Sequence, residues 1–160
     1  MEKAETTSLV TEEYRDAVTQ LAINKEERRF LNDSCDHAKL LAELMIGKSL
    51  SDDKVEIYSG ELGRNCFTDA LLSSKASIRI LLDSNNGVAV INGLPDEVRD
   101  RIEFRLVNAP CANHFFVSGN SFRYEKDHCD STAVANFNEP ETVTKLSNLF
   151  NIMWEQAIAV

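Results

Sequence analysis

Cys111 and His114 are the residues of this chain best suited to nucleophilic chemistry. A thiol beside an imidazole can ionise to a thiolate, which is the attacking group of many hydrolases and transferases. The two residues are only three positions apart at the start of a predicted strand, and this spacing does not bring their side chains within hydrogen-bond reach. No third residue that would orient His114 is evident. A reshaped active site using Cys111 or His114 therefore remains one interpretation, and a packed thiol without a chemical role is the other.

His128, Cys129 and Asp130 could join His114 or Cys111 in a second cluster, which would bind a metal ion. Zinc sites take paired ligands at short spacing from two places in the chain, and here the second pair is missing. The sequence also has no glycine-rich phosphate loop and no HExxH motif. We therefore predict that this cluster is a solvated loop, and that the protein uses no metal and no cofactor.

The charge and the apolar pattern exclude several classes of partner. The formal net charge is −9, whereas nucleic-acid binding needs a clustered positive surface. The basic run at residues 25–29 contains two glutamates and is interpreted as a solvated helix face. The sequence shows neither a signal peptide nor an apolar run long enough to cross a membrane. The four cysteines form no CxxC pair, which indicates free thiols and a cytoplasmic protein.

Hydrophobic periodicity predicts three longer helices. The first covers residues 9–23 and is capped by Thr11, the second follows the N-cap cluster at 32–34 and ends near Gly47, and the third begins at 139–141 and runs past Trp154. Shorter helices are predicted at residues 66–73 and from Pro95 through Ile102. The first eight residues are polar, so we predict a flexible segment at 1–8 and one domain over 9–160.

Strands are predicted from alternating or β-branched apolar runs bounded by turn residues. They cover residues 54–59, 77–83, 88–91, 103–107, 114–118 and 122–125, with a turn at 85–87 and a hairpin turn at 119–120. The uninterrupted run SIRILLD at 77–83 is typical of a strand covered on both faces, so we place it at the centre of the sheet under the last helix. The predicted fold is α/β (α+β), with a mixed β-sheet flanked by helices.

This order of elements is similar to that of the phospholipase D-like domain. The resemblance covers roughly residues 30–157 and is carried by KVEIYSGEL, SIRILLD, EFRLV, the hairpin HFFVSGNSFRYE and the closing segment ANFNEPETVTKLSNLFNIMWEQA. It implies the fold of that family and its catalytic strand, His-x-Lys-x-x-x-x-Asp. In that motif the His attacks a phosphodiester, the Lys holds the phosphate and the Asp orients the site.

The motif can be placed on this chain in two registers, and neither keeps the Lys or the Asp. Alignment on the hairpin turn puts Cys111, Asn113 and Ser118 at the three positions. Alignment on the histidine puts His114, Phe116 and Ser121 there. Without a cation the site loses the electrostatic stabilisation that dominates phosphoryl transfer. The resemblance therefore implies an inactive member.

The resemblance also implies a relic pocket formed by a set of polar residues. Its members are Cys111, Asn113, His114, Ser118, Arg123, Asn136 and Asn138. Arg123 lies near the place where the family holds its phosphate, and the alternatives are an anion ligand or an ion pair with Glu125. Asn136 and Asn138 match the family's Asn-rich segment, although Asn138 could equally cap the last helix.

Two functions follow from these observations, and a third possibility is an unrelated α/β adaptor. The first function is a catalytically inactive binding or regulatory module, whose partner is a protein or a small anionic ligand. The second is a hydrolase or transferase of another class that uses Cys111 or His114. The family pairs two halves around a twofold axis and this chain supplies one, so we also expect a homodimer.

Overall fold

The structure is a computed structural model and describes residues 10–32, 35–58, 67–82, 85–107, 114–125 and 133–159. The first helix, α1 (Glu12–Asn24), begins directly after Thr11, its predicted cap, and not at residue 9. The Thr11 hydroxyl accepts a hydrogen bond from the Tyr14 backbone N–H at 3.1 Å, and acidic residues in the first turn complement the helix dipole. The predicted flexible segment at 1–8 lies outside the described residues.

The second predicted helix is observed as α2 (Cys35–Ala42), which continues into one π-helical turn (Glu43–Gly47). Its buried side chains include Leu40, Leu41 and Ile46. The remaining helices are α3 (Thr68–Ser73), α4 (Asn85–Asn92), α5 (Asp96–Arg99) and α6 (Pro140–Gln156).

Eight strands of the described segments form one mixed sheet. They are β1 (Phe30–Asn32), β2 (Lys54–Tyr58), β3 (Ser77–Leu82), β4 (Ile102–Leu106), β5 (His114–Ser118), β6 (Ser121–Glu125), β7 (Ala133–Asn136) and β8 (Ile158–Ala159). Their order is β1-β7-β6-β5-β2-β3-β4-β8, with β2, β3 and β4 mutually parallel and every other pair antiparallel. The predicted class, a mixed sheet flanked by helices, is confirmed.

Strand β3 is interior, as predicted, but it is not in the middle of the sheet. Ile80 and Leu82 are buried, which the apolar run required. The middle positions belong to β5 and β2, because the β5–β6 hairpin joins the edge of β2 and extends the sheet on that side.

The prediction of a turn at 85–87 followed by a strand at 88–91 is wrong, because α4 occupies both stretches. The strand that follows β3 is its parallel neighbour β4, and parallel strands need a crossover connection instead of a hairpin. The side chains of Ile91 and Leu94 are buried in the core on the side of the sheet where α4 lies. A Cβ at Gly87 would lie 2.6 Å from a methyl carbon of Leu82, so a larger residue there would require the Leu82 side chain to move.

Three further features of the fold differ from the sequence prediction. Ile102 begins β4 instead of ending the helix that follows Pro95, and the strands β7 and β8 were not predicted. Helix α1 ends at Asn24, so residues 25–29 connect it to β1 and do not form a helix face. Among the helices that the structure describes, none combines the length and apolarity needed to cross a bilayer.

Each face of the sheet carries its own core. The first core, under α1 to α5, includes Ile57, Ile80, Phe116 and Phe137. The second lies under α6, where Leu146, Phe150 and Trp154 pack on side chains of β2, β3, β5 and β6. Phe115 and Phe122 belong to this second core, so the phenylalanines of the hairpin fill both cores.

Helix α6 is also fixed by a buried polar network with Glu56 of β2 at its centre. The Glu56 side chain is 0% exposed, accepts a hydrogen bond from Ser147 at 2.6 Å and forms an ion pair with Arg79 of β3. The Arg79 guanidinium carbon lies 5.1 Å from the centroid of the Phe150 ring and 5.2 Å from that of Trp154. The network therefore ties the two interior strands β2 and β3 to the helix through charge as well as through packing.

Candidate functional site

Strands β2, β3 and β4 end at one edge of the sheet, where β5 and β7 begin. We call this the carboxyl edge, and it is where ligands bind in open α/β sheets. His114 opens β5 there and pairs with Glu125, the last residue of β6. Since side chains alternate along a strand, His114, Arg123 and Glu125 share the sheet face of Phe116.

These three side chains form a buried polar cluster at the carboxyl edge, each 5% exposed. Arg123 donates from Nη1 to Oε2 of Glu125 at 3.3 Å. The His114 ring meets the edge of the Tyr58 ring with centroids 5.1 Å apart. The guanidinium is thus neutralised by the neighbouring carboxylate, and the geometry agrees with the ion-pair alternative for Arg123.

The other predicted residues of this region lie outside the described residues. They are Cys111 and Asn113 of the relic pocket, and His128, Cys129 and Asp130 of the predicted loop cluster. The described residues contain no group of three or more His, Cys, Asp or Glu side chains that could hold a metal ion.

Ser118 and Asn138 lie at the opposite edge of the sheet from His114. Ser118 is the last residue of β5, four residues after His114, which at about 3.4 Å per residue is roughly 14 Å away. Ser118 and Asn138 line one cavity there. The described members of the relic pocket therefore lie at two opposite edges of the sheet, because β5 runs from one of these edges to the other.

The side chain of Asn136 is buried and fixes neighbouring backbone. Its Oδ1 accepts hydrogen bonds from the backbone N–H groups of Arg28 and Asn138, both at 3.0 Å, and its Nδ2 donates to Glu139 at 2.8 Å. Asn138 does not cap α6, since Glu139 is the N-cap residue and makes no side-chain cap bond. The Asn138 amide instead donates to the Lys25 carbonyl at 3.1 Å.

Glu139 joins this connection to the N-terminal part of the chain. Arg29 donates from Nε to the Glu139 carboxylate at 2.8 Å, and Thr142 adds a further hydrogen bond. The hydrogen bond from Arg29, helped by those from Thr142 and Asn136, lowers the pKa of Glu139 from 4.5 to about 2. The carboxylate form of Glu139 is therefore stabilised by folding.

Glu139→Gln is expected to lower the free energy of unfolding at pH 7 by about 1–2 kcal/mol. The lowered pKa sets an upper limit of about 3 kcal/mol, and solvent screening reduces it because the Arg29 side chain is 60% exposed. A depressed pKa stabilises the fold above pH 4.5, and that contribution is lost as the pH falls from 4.5 towards 2. Urea denaturation across this range should show the two proteins converging. Glu141→Gln, at an exposed neighbour, is the control, and a constant difference at all pH values would contradict the assignment.

The cavity at the edge opposite the carboxyl edge has a volume of about 580 Å³. It lies between the last turns of α1, the π-helical turn with the loop after it, the β5–β6 turn and the β7–α6 connection. Its apolar lining includes Leu44, Met45 and Phe137, while Lys25 and Lys48 supply positive charge. Gly119 forms the β5–β6 turn with φ of +59°, a conformation that favours glycine. We call this space the hairpin cavity.

The sequence analysis missed the hairpin cavity because its lining comes from four distant segments. Lys25 was assigned to a solvated helix face, and nothing near Lys48 indicates a site. The sequence does carry one usable signal. The position that ends α1 is a lysine, Lys25, whereas helices more often end in glycine or asparagine.

The chain matches no protein-family model and no curated protein. Among the solved structures that are similar to it are TrmBL2 and Nuc. TrmBL2, an archaeal chromatin protein with a novel mode of DNA binding, is 16% identical with a TM-score of 0.62; the match covers 99% of this chain and 64% of TrmBL2. Nuc from Salmonella typhimurium, a phospholipase D family member, is 14% identical with a TM-score of 0.57; this match covers 84% of the present chain and 99% of Nuc. The fold is phospholipase D-like.

On the phospholipase D-like fold, the position that the histidine register assigns to the lysine is a core position. Phe116 is 1% exposed, and its ring meets the edge of the Phe67 ring with centroids 5.6 Å apart. Ser121, at the Asp position of that register, donates to the Phe137 carbonyl at 3.1 Å. This register therefore offers no cation and no carboxylate at the two motif positions.

Proposed function

We propose that this chain is a phospholipase D-like module that does not hydrolyse phosphodiesters and acts by binding a small anionic ligand or a protein partner. The observation that carries the proposal is the burial of Phe116 at the lysine position of the histidine register. In the hairpin register the lysine position is Asn113, which is also uncharged.

The energetic reason is the charge that develops on the phosphoryl oxygens during transfer. Enzymes of this kind stabilise that charge with positioned cations, and losing one such group typically costs about 100- to 1,000-fold in rate. Arg123 is a cation beside the motif strand, as the partner of Phe116 on β6, and Glu125 already neutralises it. A substrate that used Arg123 would share its charge with Glu125, which weakens the stabilisation that Arg123 could give and favours a binding role.

The purified protein is expected to hydrolyse bis-p-nitrophenyl phosphate no faster than a buffer blank. Release of p-nitrophenol can be followed by absorbance over several hours, with His114→Ala and Cys111→Ser as parallel samples. Hydrolysis that His114→Ala abolishes, in a variant that keeps its circular dichroism spectrum, would overturn the proposal. Hydrolysis that only Cys111→Ser abolishes would instead support the hydrolase or transferase of another class.

Nucleic acid is not part of the proposed function. The fold of TrmBL2 is shared, but DNA binding is described for that protein, of which 64% is matched here. The net charge of −9 disfavours contact with phosphates, since non-specific DNA binding depends on lysine and arginine contacts. A gel-shift assay with duplex DNA at low salt tests this point, and a retarded band that salt removes would contradict it.

We further propose that the module is a homodimer. Apart from the family resemblance, the support is apolar surface near the end of the chain, where Leu149 and Ile152 of α6 and Ile158 of β8 are exposed. A stable twofold interface buries roughly 1,200 Å² or more, so a dimer should persist at low micromolar concentration. Sedimentation across a concentration series checks this, and a monomer near 18.0 kDa throughout would contradict it.

A further inference from the structure

We propose that the hairpin cavity binds a small amphipathic monocarboxylate, with its apolar chain inside and its carboxylate between Lys25 and Lys48. This inference rests on the proposed binding function and names the class of ligand. The cavity lies at the edge of the sheet away from His114, so it is separate from the place where the family's chemistry would occur.

The size and lining of the cavity fit an apolar chain of medium length. Its volume of about 580 Å³ lies within the range of roughly 300–1,000 Å³ that is usual for small-molecule sites. Met45 and Phe137 are buried in its wall, and Ala22 and Leu44 complete an apolar floor. Around the opening, two large apolar side chains stay in water, with Ile23 65% and Leu50 58% exposed. A bound chain would cover both.

The net charge of the residues that line the cavity suits a ligand with a single negative charge. Lys25, Lys48 and Asp53 are its ionisable residues, so two positive charges and one negative charge leave a balance of +1. Oδ2 of Asp53 accepts a hydrogen bond from the Leu50 backbone N–H at 2.7 Å. Neither lysine forms an ion pair with any residue that the structure describes. In a protein of net charge −9, this local positive balance selects an anion.

The backbone conformation of Lys25 is fixed by the end of α1 and by a residue of the cavity wall. Lys25 ends α1 with φ of 49° and ψ of 50°, and no other non-glycine residue in the described ranges has a positive φ. Glycine or asparagine is usual at this position, because a β-carbon makes the left-handed conformation unfavourable. Asn138, which lines the same cavity, holds the Lys25 carbonyl at 3.1 Å. Hydrogen bonds from the Lys25 N–H to the Ala22 carbonyl and from the Glu26 N–H to the Leu21 carbonyl end the helix, so Lys25 is held at the rim of the cavity.

Calorimetric titration of the full chain with octanoate and with octanol tests the proposal. Octanoate is expected to bind saturably at one site, with octanol about fivefold weaker because it lacks the charge. In the series from butanoate to octanoate, affinity should rise up to about fourfold for each added methylene group that is buried. Octanoate affinity should also fall as the salt concentration rises.

Two lysine variants and one matched control separate binding from stability. Lys25→Gly should weaken octanoate about fivefold and leave octanol unchanged, while raising Tm by about 1–3 °C through relief of the strained backbone. Lys48→Gln should weaken octanoate by a similar factor without that rise. Lys145→Gln, at an exposed lysine of α6 away from the cavity, should change neither ligand.

Three results would overturn the proposal: no saturable binding of octanoate, equal affinity for octanol and octanoate, or equal losses in Lys145→Gln and the cavity variants. Failure of this inference is distinguishable from failure of the proposed function. Absence of octanoate binding leaves the hydrolysis result unchanged, whereas hydrolysis of a phosphodiester would overturn the non-catalytic function whatever binds in the hairpin cavity.

Discussion

Replacement of Arg79 by methionine is expected to lower the free energy of unfolding by about 3–5 kcal/mol. Methionine keeps much of the apolar stem but removes the charge that neutralises Glu56. The Glu56 carboxylate has no exposure to water, and without Arg79 its remaining hydrogen bond of known geometry is that from Ser147. The substitution also removes the guanidinium from the faces of Phe150 and Trp154, which adds about 0.5–1 kcal/mol for each ring.

Urea denaturation at pH 7, followed by far-UV circular dichroism, measures this effect. Arg99→Met is the matched control, because Arg99 pairs with Asp96 on the surface at 2.8 Å and should contribute less than about 0.5 kcal/mol. The double variant Glu56→Met/Arg79→Met should regain most of the loss, since an apolar pair can replace a buried ion pair at little cost. A single variant at Arg79 that is no less stable than the Arg99 control would contradict the assigned role of the network.

Phe116→Lys is expected to cost on the order of 5 kcal/mol or more, and to create no phosphodiesterase activity. The substitution restores the family's lysine in the histidine register, so it tests whether one residue separates this chain from an active member. The new ammonium would replace a buried ring that packs on Phe67, and it would face Arg123 across the β5–β6 pair. A loss of this size is comparable to the whole stability of many domains.

The measurements are the soluble yield, the urea midpoint and the hydrolysis of bis-p-nitrophenyl phosphate. Phe116→Leu is the control for lost volume alone and should cost about 1–2 kcal/mol. A Phe116→Lys protein with the urea midpoint of the wild type would show that this side chain reaches water. In that case the burial of position 116 could no longer support the proposed function.

The sequence predicted those elements whose own pattern determines their environment. The run 77–82 is largely apolar and became an interior strand, and Thr11 fixed the start of α1 through its own side chain. The stretch 85–91 failed because Asn-Asn-Gly favours a turn locally, while the parallel β3–β4 pair requires a helix. Strand β7 was missed because its short run, AVAN, gains strand structure only by pairing with β1 and β6.

The candidate sites could also be predicted only as far as their residues belong to one local sequence pattern. The Arg123–Glu125 pair follows from period-two alternation, which places both side chains on one face of β6. The hairpin cavity depends on which loops of the fold meet, and Lys25 and Lys48 approach it from separate helices. Ser118 and Asn138 were assigned to the relic pocket from the resemblance alone. That assignment did not take into account the length of β5, which separates both residues from His114.

The contacts between the α1–β1 connection and the β7–α6 connection have a consequence for synthesis of the chain. Arg28 and its bonding partner Asn136 are 108 residues apart, and Arg29 and Glu139 are 110 apart. A ribosome adds about 5–20 residues per second, so the first strand exists for roughly 5–20 s before its neighbour has been made. During that interval Phe30 and Leu31 have no sheet edge to join. The edge of the sheet that is translated first is therefore among the last parts of the molecule to assemble.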